Sequence, residues 1–225
     1  MYWVKKMLTF ENIKNNQDIN TYIESADTTL KSLGFTEHSF AHVTKTANTV
    51  KYILTTLNQP SHDVELAQIA AYLHDIGNVV NRIEHSQSGA VMAFRILDNL
   101  NMPASDTAKI VSAIGNHDEG TGVPIDQISA ALILADKSDV RRSRVRNTDV
   151  STFDIHDRVN YSVVSSSLKI NDSSTEISLN LKIDTEFASI MEFFEIFIDR
   201  MLLCQKAAAK LGLKFNLEIN NQSFL

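Results

Sequence analysis

Six side chains that could ligate a metal ion lie near the predicted ends of successive helices. They are His42, His74, Asp75, His85, His117 and Asp136. Metal sites in helical bundles are built from such side chains where facing helices project them inward. Imidazole and carboxylate ligands suit iron, manganese, zinc or nickel, and a single cysteine cannot build a zinc site from several thiolates. The pattern therefore predicts a shared metal centre.

The dipeptide His74–Asp75 carries more weight than any single histidine. A lone histidine on an apolar helix is more often a hydrogen-bonded core residue than a metal ligand. The dipeptide, however, directly follows the apolar run IAAYL, and Asp136 directly follows ALILA. A carboxylate beside a buried stripe is costly unless it is paired or bound to a metal. For Asp136, an ion pair with a nearby lysine or arginine is the alternative.

Length and composition describe an ordinary globular chain. The 225 residues are 44% apolar, with only seven glycines, three prolines and one cysteine, which argues against a turn-rich all-β fold and fits a reducing compartment. The net charge of −6 argues against an extended nucleic-acid or anionic-membrane surface. No run approaches the roughly 20 apolar residues of a membrane span. The first ten residues lack the pattern of a signal peptide, so we expect a cytoplasmic protein.

Helical periodicity dominates the first two thirds of the chain. Apolar spacing, capping residues and breakers predict helices over residues 20–34, 36–57, 61–77, 86–100, 105–116 and 126–140. After Arg146 the composition changes, and two segments rich in Val, Ile and Ser, 161–170 and 176–183, predict a β-hairpin. A long helix over 184–212 and a short strand over 214–219 follow. The fold is therefore expected to be mostly α.

At this point the order of the motifs resembles that of a known family. His42 in HVTKTA, the dipeptide in AYLHDIGN and Asp136 in LILADKSD resemble the HD superfamily of metal-dependent phosphohydrolases. His85 in EHSQSGA and His117 in AIGNHDEG look like the additional histidines of members that hold two metals. The resemblance covers about residues 36–146. It implies a helical HD-type metal-binding domain, with an N-terminal helix, over 1–150, and we expect a small α+β subdomain over 151–225 packed on it.

The resemblance also implies roles for the six side chains. The first metal would be held by His42, His74, Asp75 and Asp136, and Asp75 would bridge to a second metal held by His85 and His117. Iron or manganese is the expected metal, with zinc, nickel and magnesium as alternatives. The implied catalytic residues are His74, Asp75 and Asp136, which would hold the metals. Two metals turn water into a nucleophile and neutralise charge on the phosphoryl oxygens of an ester or anhydride.

A basic segment follows the last aspartate directly. Residues 137–146, KSDVRRSRVR, hold five basic residues in an acidic protein. Arginine binds phosphate oxygens with two parallel hydrogen bonds, so Lys137, Arg141 and Arg142 are candidates for substrate binding. His38, four residues before His42 and on the same predicted helix face, is a further candidate for contact with the substrate.

The implied partner is a small phosphorylated metabolite or a nucleotide, and neither a membrane nor an extended nucleic acid is expected. The apolar stripe of the last helix, which includes Met191 and Phe197, would pack beneath the small sheet or form a homodimer contact. Two alternatives to hydrolysis stay open. One is a di-iron oxygenase of the same architecture, and the other is a regulatory module that binds a nucleotide without catalysis.

Overall fold

Residues 8–225 are described by the structure, a computed structural model, and they are mostly helical. The helices of this range are α1 Phe10–Lys14, α2 Gln17–Ser32, α3 Phe40–Thr56, α4 Ser61–Leu73, α5 His85–Asn99, α6 Ala104–Gly115, α7 Gln127–Lys137, α8 Ile155–Ser162 and α9 Ile190–Lys210. The strands of this range are β1 Val163–Ile170, β2 Glu176–Ile183, β3 Lys214–Ile219 and β4 Gln222–Ser223. The expected fold class, a helical bundle with a small C-terminal α+β unit, is confirmed. The interpretation of residues 1–10 as free of a targeting signal falls mostly outside the described range.

Helices α4 and α7 form the centre of the bundle. Every residue of α4 at positions 66–73 is buried, and so is every residue of α7 at positions 128–137. A helix that is apolar on all sides is stable only when other elements surround it, and α3 and α6 each pack against both helices. The C-terminal ends of α4 and α7 therefore carry His74, Asp75 and Asp136 into the interior.

Helix α3 begins at Phe40, later than the predicted start near Thr36. Its N-cap is Ser39, whose side chain accepts a hydrogen bond from the first turn of the helix. His38 therefore lies in the loop before α3 and does not share a helix face with His42, so that part of the sequence prediction is wrong.

Two further helix limits differ from the sequence prediction. Helix α4 ends at Leu73, so that Gly77 lies beyond it. Helix α9 begins at Ile190, because Ser189 and Glu192 form a capping box there. The periodicity also does not reveal α1 or α8, which are 5 and 8 residues long and too short to repeat a buried stripe.

The predicted hairpin is confirmed. Strand β1 pairs with β2 in antiparallel orientation, with Ile170 opposite Ile177. Strand β3 lies parallel to β2, with Leu217 opposite Leu179, so the chain must cross over between them, and α9 makes this connection. The sheet order is β1-β2-β3-β4.

Helix α9 joins the sheet to the bundle by packing against both β3 and α7. Phe193, Phe197 and Met201 of its apolar stripe are buried in this contact region, whereas Met191 and Leu202 are exposed. The homodimer and the division between residues 150 and 151 stay predictions. In the part of the chain that the structure describes, no helix combines the length and apolar composition needed to cross a membrane.

Candidate metal centre

Helices α3, α4 and α7 bring four predicted ligands to one point. Nε2 of His42 lies 3.3 Å from Nε2 of His74 and 3.2 Å from Oδ1 of Asp136. Oδ2 of Asp75 lies 3.1 Å from Nε2 of His74 and 3.6 Å from Nε2 of His42. All four side chains are buried. Their donor atoms form the first half of the cluster.

The second half is built from His85, the first residue of α5, and His117, which follows α6. Their Nε2 atoms lie 3.2 Å apart, and Nε2 of His85 is 3.5 Å from Oδ1 of Asp75. The two carboxylate oxygens of Asp75 therefore approach different histidines. His74, Asp75 and His117 also place ligand atoms within 4.8 Å of one another, which makes the two halves continuous. The structure thus brings all six predicted ligands together.

Each of the four histidines is held through its Nδ1 atom. The Nδ1 atom of His42 donates a hydrogen bond of 2.8 Å to Oδ2 of Asp139. The others donate to backbone carbonyl oxygens, in the pairs His74–Ala71 at 2.8 Å, His85–Arg82 at 3.1 Å and His117–Ile114 at 2.6 Å. A neutral ring with hydrogen on Nδ1 presents the lone pair of Nε2, as metal-ligating histidines do.

The arrangement of these lone pairs fits a bound cation. In neutral rings, His42 and His74 would direct two lone pairs at each other across 3.3 Å, and His85 and His117 would do so across 3.2 Å. Such contacts are repulsive unless a proton or a metal ion lies between the nitrogens. Together with the nearby carboxylates, the four nitrogens form a donor set that suits divalent iron, manganese or zinc.

Electrostatics keep a proton in the cluster when no metal is bound. Burial alone would lower the pKa of His74, but the carboxylates of Asp75 and Asp136 raise it to about 10. Burial would also raise the pKa of Asp75, but the neighbouring His74 holds that pKa well below its usual range. Because a metal needs the lone pair that carries this proton, metal binding must release the proton.

A family model matches the part of the chain that holds this cluster. The family model described as "HD domain" matches residues 39–158, more than half of the chain, and this range contains all six clustered side chains. The chain belongs to the HD-domain family.

Two other proteins are similar to part of this chain. An uncharacterized protein from Methanocaldococcus jannaschii is 28% identical over 166 residues, which cover 64% of this chain and 63% of that protein. The chain therefore spans slightly less than two thirds of the length of this curated relative. The crystal structure of a predicted HD superfamily hydrolase from an uncultured Thermotogales bacterium is 23% identical and covers 56% of this chain and 68% of its own, with a TM-score of 0.44.

Asp139 contacts His42 on the side of the ring that faces away from the cluster. Besides accepting the hydrogen bond from His42, its carboxylate lies 2.7 Å from Nζ of Lys45 and 2.9 Å from Nε of Arg141. Burial would raise the pKa of Asp139, but His42 and Arg144 hold it far below its usual range. Asp139 is not among the predicted site residues, because its contact with His42 spans 97 residues.

A close backbone contact positions His85 in the HD domain. After His74 and Asp75 the chain forms a 3-10 turn, Ile76–Val79, that packs against the start of α5. A methyl group on Gly77 would lie 2.0 Å from the carbonyl oxygen of His85 and 2.4 Å from the backbone nitrogen of Gly89. Only a residue without a side chain allows this approach, so Gly77 serves close packing, not the helix stop that the sequence predicts there.

We therefore expect Gly77→Ala to destabilise the protein by roughly 1–3 kcal/mol or more, because overpacked sites force backbone shifts. The shift would displace His85 and reduce the metal bound per chain. Chemical denaturation and elemental analysis measure the two effects. Gly115→Ala is the matched control, since its added methyl group would meet its nearest neighbour at an ordinary 3.7 Å. Equal stability and metal content in the two variants would contradict the packing argument.

A cavity of about 410 Å³ opens onto the cluster. Its wall includes Asp75, His85, His117 and Asp136. Of the predicted substrate-binding residues, Lys137 and His38 line this cavity, His38 from the loop before α3. Burial, with Arg144 nearby, holds the pKa of His38 well below its usual range, so its ring is neutral at pH 7.

Arg141 and Arg142 are not in the cavity wall. Arg141 pairs with Asp139 and with Glu37, at 3.2 Å from Oε2 of the latter. Arg142 lies 3.2 Å from Oδ2 of Asp184 and stacks over the ring of Tyr161, 4.4 Å from its centroid. Both guanidinium groups thus connect the basic segment to neighbouring elements.

Several cavity residues were not among the predicted substrate-binding residues. Arg82 precedes α5, Arg200 comes from α9, and Arg144 and His156 also line the cavity. Arg200 donates to Oε1 of Glu119 at 3.1 Å, which connects the C-terminal unit to the site. Arg82 and Arg200 lie far along the chain from the basic segment, so local charge density gave no signal for them.

Proposed function

We propose that the chain is a metal-dependent phosphohydrolase that uses two divalent metals to cleave a phosphate ester or anhydride of a small metabolite, such as a nucleotide. The observation that carries the proposal is that the metal-ligand cluster opens onto a cavity whose wall carries four basic side chains beside its carboxylates. The basic side chains of that wall are Arg82, Lys137, Arg144 and Arg200. Membership in the HD-domain family supports the same class of reaction.

Each half of the cluster would hold one metal ion. One ion would be held by His42, His74, Asp75 and Asp136, and the other by Asp75, His85 and His117. When bound, such ions lower the pKa of a water molecule and neutralise charge on phosphoryl oxygens, and iron or manganese suits these ligands. The chain holds the four rings in place through their Nδ1 hydrogen bonds, so little reorganisation is needed on binding.

Lys137 supplies a fixed positive charge at the inner end of the cavity. Its Nζ atom lies 2.6 Å from Oδ2 of Asp136 and 2.6 Å from Oε2 of Glu119. Burial would lower the pKa of Lys137, but these two carboxylates raise it, so the ammonium group stays charged. Arg200 orients Glu119, and Glu119 in turn orients Lys137. This chain of contacts allows Lys137 to bind a phosphoryl oxygen in a fixed position.

The remaining wall of the cavity suits a substrate that carries a larger organic group beside its phosphate. Phe35 and Phe197 contribute aromatic surface to the wall, and Asp154, Asp157 and Asn160 contribute hydrogen-bonding groups. Aromatic rings can stack on a nucleobase, and carboxylates can accept hydrogen bonds from sugar hydroxyls or amino groups. A phosphate near the cluster and a nucleoside near α8 would use both parts of this cavity.

The test combines elemental analysis with a screen of phosphorylated metabolites in the presence of manganese or iron. We expect bound metal in the purified chain and release of a dephosphorylated product from at least one nucleotide. His117→Ala should lose most of this activity. His62→Ala is the matched control and should retain it, because His62 is paired with Asp106 at 3.0 Å, away from the cluster. A chain without bound metal that is inert after metal addition would overturn the proposal and favour the regulatory module.

Oxygen dependence separates hydrolysis from the oxygenase alternative. A phosphohydrolase draws its attacking oxygen atom from water, so product formation under nitrogen should equal that in air. A product that forms only in air would indicate an oxygenase with the same ligand residues.

A further inference from the structure

Arg82 occupies an unusual position in the cavity. It lies in the segment between the 3-10 turn and α5, and its side chain is half-buried. Its Nη1 atom is 3.4 Å from Nε2 of His85 and 3.5 Å from Oδ1 of Asn78, and its guanidinium carbon is 5.8 Å from the centroid of Phe35. The guanidinium group therefore points at the ring nitrogen that would ligate a metal.

The other cations of the cavity wall have carboxylate partners. Lys137 pairs with Asp136 and Glu119, Arg200 pairs with Glu119, and Arg144 lies 3.8 Å from Oδ2 of Asp139. Within residues 8–225, Arg82 forms no ion pair with any carboxylate. A half-buried guanidinium group without an anion has lost hydration that no opposite charge replaces, so it favours an anionic ligand.

The contact with His85 cannot persist when a metal occupies that nitrogen. The backbone carbonyl of Arg82 accepts the hydrogen bond from Nδ1 of His85 and so orients the ring. The side chain of the same residue donates toward Nε2, and one lone pair cannot serve both a guanidinium donor and a metal ion. Binding of a cation to His85 therefore frees the donors of Arg82 at the edge of the cavity.

We propose that Arg82 binds a phosphate group of the substrate on the side of the site that His85 and His117 form. The inference rests on the proposed phosphohydrolase function and assigns the substrate a phosphate at this position. A planar guanidinium group can hold two phosphate oxygens at once, which fixes the orientation of the phosphate. The Nη1 atom of Arg82 lies 3.4 Å from Nε2 of His85, so its hydrogen bond would compete with a cation for that lone pair.

The test compares Arg82→Ala and Arg82→Lys with Arg95→Ala, a control at an exposed arginine of α5. Each protein is loaded with Mn²⁺, its metal content is measured, and inorganic phosphate is titrated into it calorimetrically. We expect Arg82→Ala to retain its Mn²⁺ or to bind it more tightly, because a competing cation has been removed. Its Kd for phosphate should rise at least 10-fold, with Arg82→Lys intermediate and Arg95→Ala unchanged.

A purely structural Arg82 would give a different result. In that case Arg82→Ala would lose Mn²⁺, and its phosphate binding would fall only in proportion to the lost metal. Arg82 would then serve to position His85, and the proposal would be overturned. Unchanged phosphate affinity in Arg82→Ala, or no phosphate binding by the wild-type protein, would also overturn it. Phosphate binding that depends on Arg82 in a chain that hydrolyses no substrate would instead reject the proposed hydrolase and leave the anion site standing.

Discussion

Asp75→Ala is expected to remove most of the bound metal and to reduce turnover by more than about 100-fold, since loss of even an outer partner of a metal ligand costs roughly 10–100-fold. Asp75 has the central place because its Oδ2 atom lies 3.1 Å from His74 and its Oδ1 atom lies 3.5 Å from His85. Its removal takes one oxygen from each half of the cluster. Elemental analysis and turnover of the nucleotide found in the screen measure the two effects.

The chain contains its own control for this variant. Asp157 follows His156 in a second His-Asp dipeptide, at the start of α8, and its carboxylate accepts a hydrogen bond from Asn147 at 3.2 Å. Asp157→Ala should therefore leave the metal content unchanged. Asp75→Asn keeps the size of the side chain but removes its charge, so it should fall between wild type and Asp75→Ala in metal content. Full metal content and turnover in Asp75→Ala would contradict the assignment of the cluster.

The placement of the six clustered side chains was predictable because each lies at or near one end of a helix. A carboxylate after an apolar run, as at Asp75 and Asp136, can exist inside a bundle only with a counter-charge, which points to neighbouring histidines or a metal. The division of the cluster into two halves around Asp75 was expected only from the resemblance to the HD superfamily, and not from the spacing of the residues. The second half depends on the close packing of the start of α5 against Gly77. This contact is between backbone atoms, so the glycine is its only trace in the sequence.

The substrate-binding residues were less predictable than the metal ligands. A high local density of basic residues in the sequence does not show which acidic group each of them binds. Arg141 and Arg142 lie close to Asp136 in sequence, but Asp139 and Asp184 pair with them. Arg82 stands alone in its segment and lines the cavity. A cluster of arginines attracts carboxylates of the same chain as well as phosphates, so only the fold determines which of them stay available.

The C-terminal unit also contributes a residue to the candidate site, which its sequence did not indicate. The stripe of α9 predicted packing, and Phe193 and Phe197 provide it. Arg200 lies on the same helix and reaches Glu119 in the loop after α6. Because the family model ends at residue 158, Arg200 lies beyond the matched HD domain, whereas Glu119 lies within it. The α+β unit thereby helps to fix Lys137, which connects its packing to the substrate side of the site.

Asp139→Ala is expected to weaken metal binding by roughly 10–100-fold through the loss of the acceptor that orients His42. It should also lower the free energy of unfolding by roughly 3–5 kcal/mol, as for other buried ion pairs that lose one partner. The reason is that the buried Arg144, which donates at 2.7 Å to the backbone carbonyl of residue 139, would lose the carboxylate that balances its charge. Calorimetric titration with Mn²⁺ and chemical denaturation measure the two effects.

Asp139→Asn separates orientation from charge. Its side-chain oxygen can still accept the hydrogen bond from Nδ1 of His42, but it carries no charge to balance Lys45, Arg141 and Arg144. We therefore expect Asp139→Asn to recover most of the metal affinity while it remains nearly as unstable as Asp139→Ala. If both variants lost affinity and stability in the same proportion, the metal effect would follow from unfolding, and the orienting role of Asp139 would be rejected.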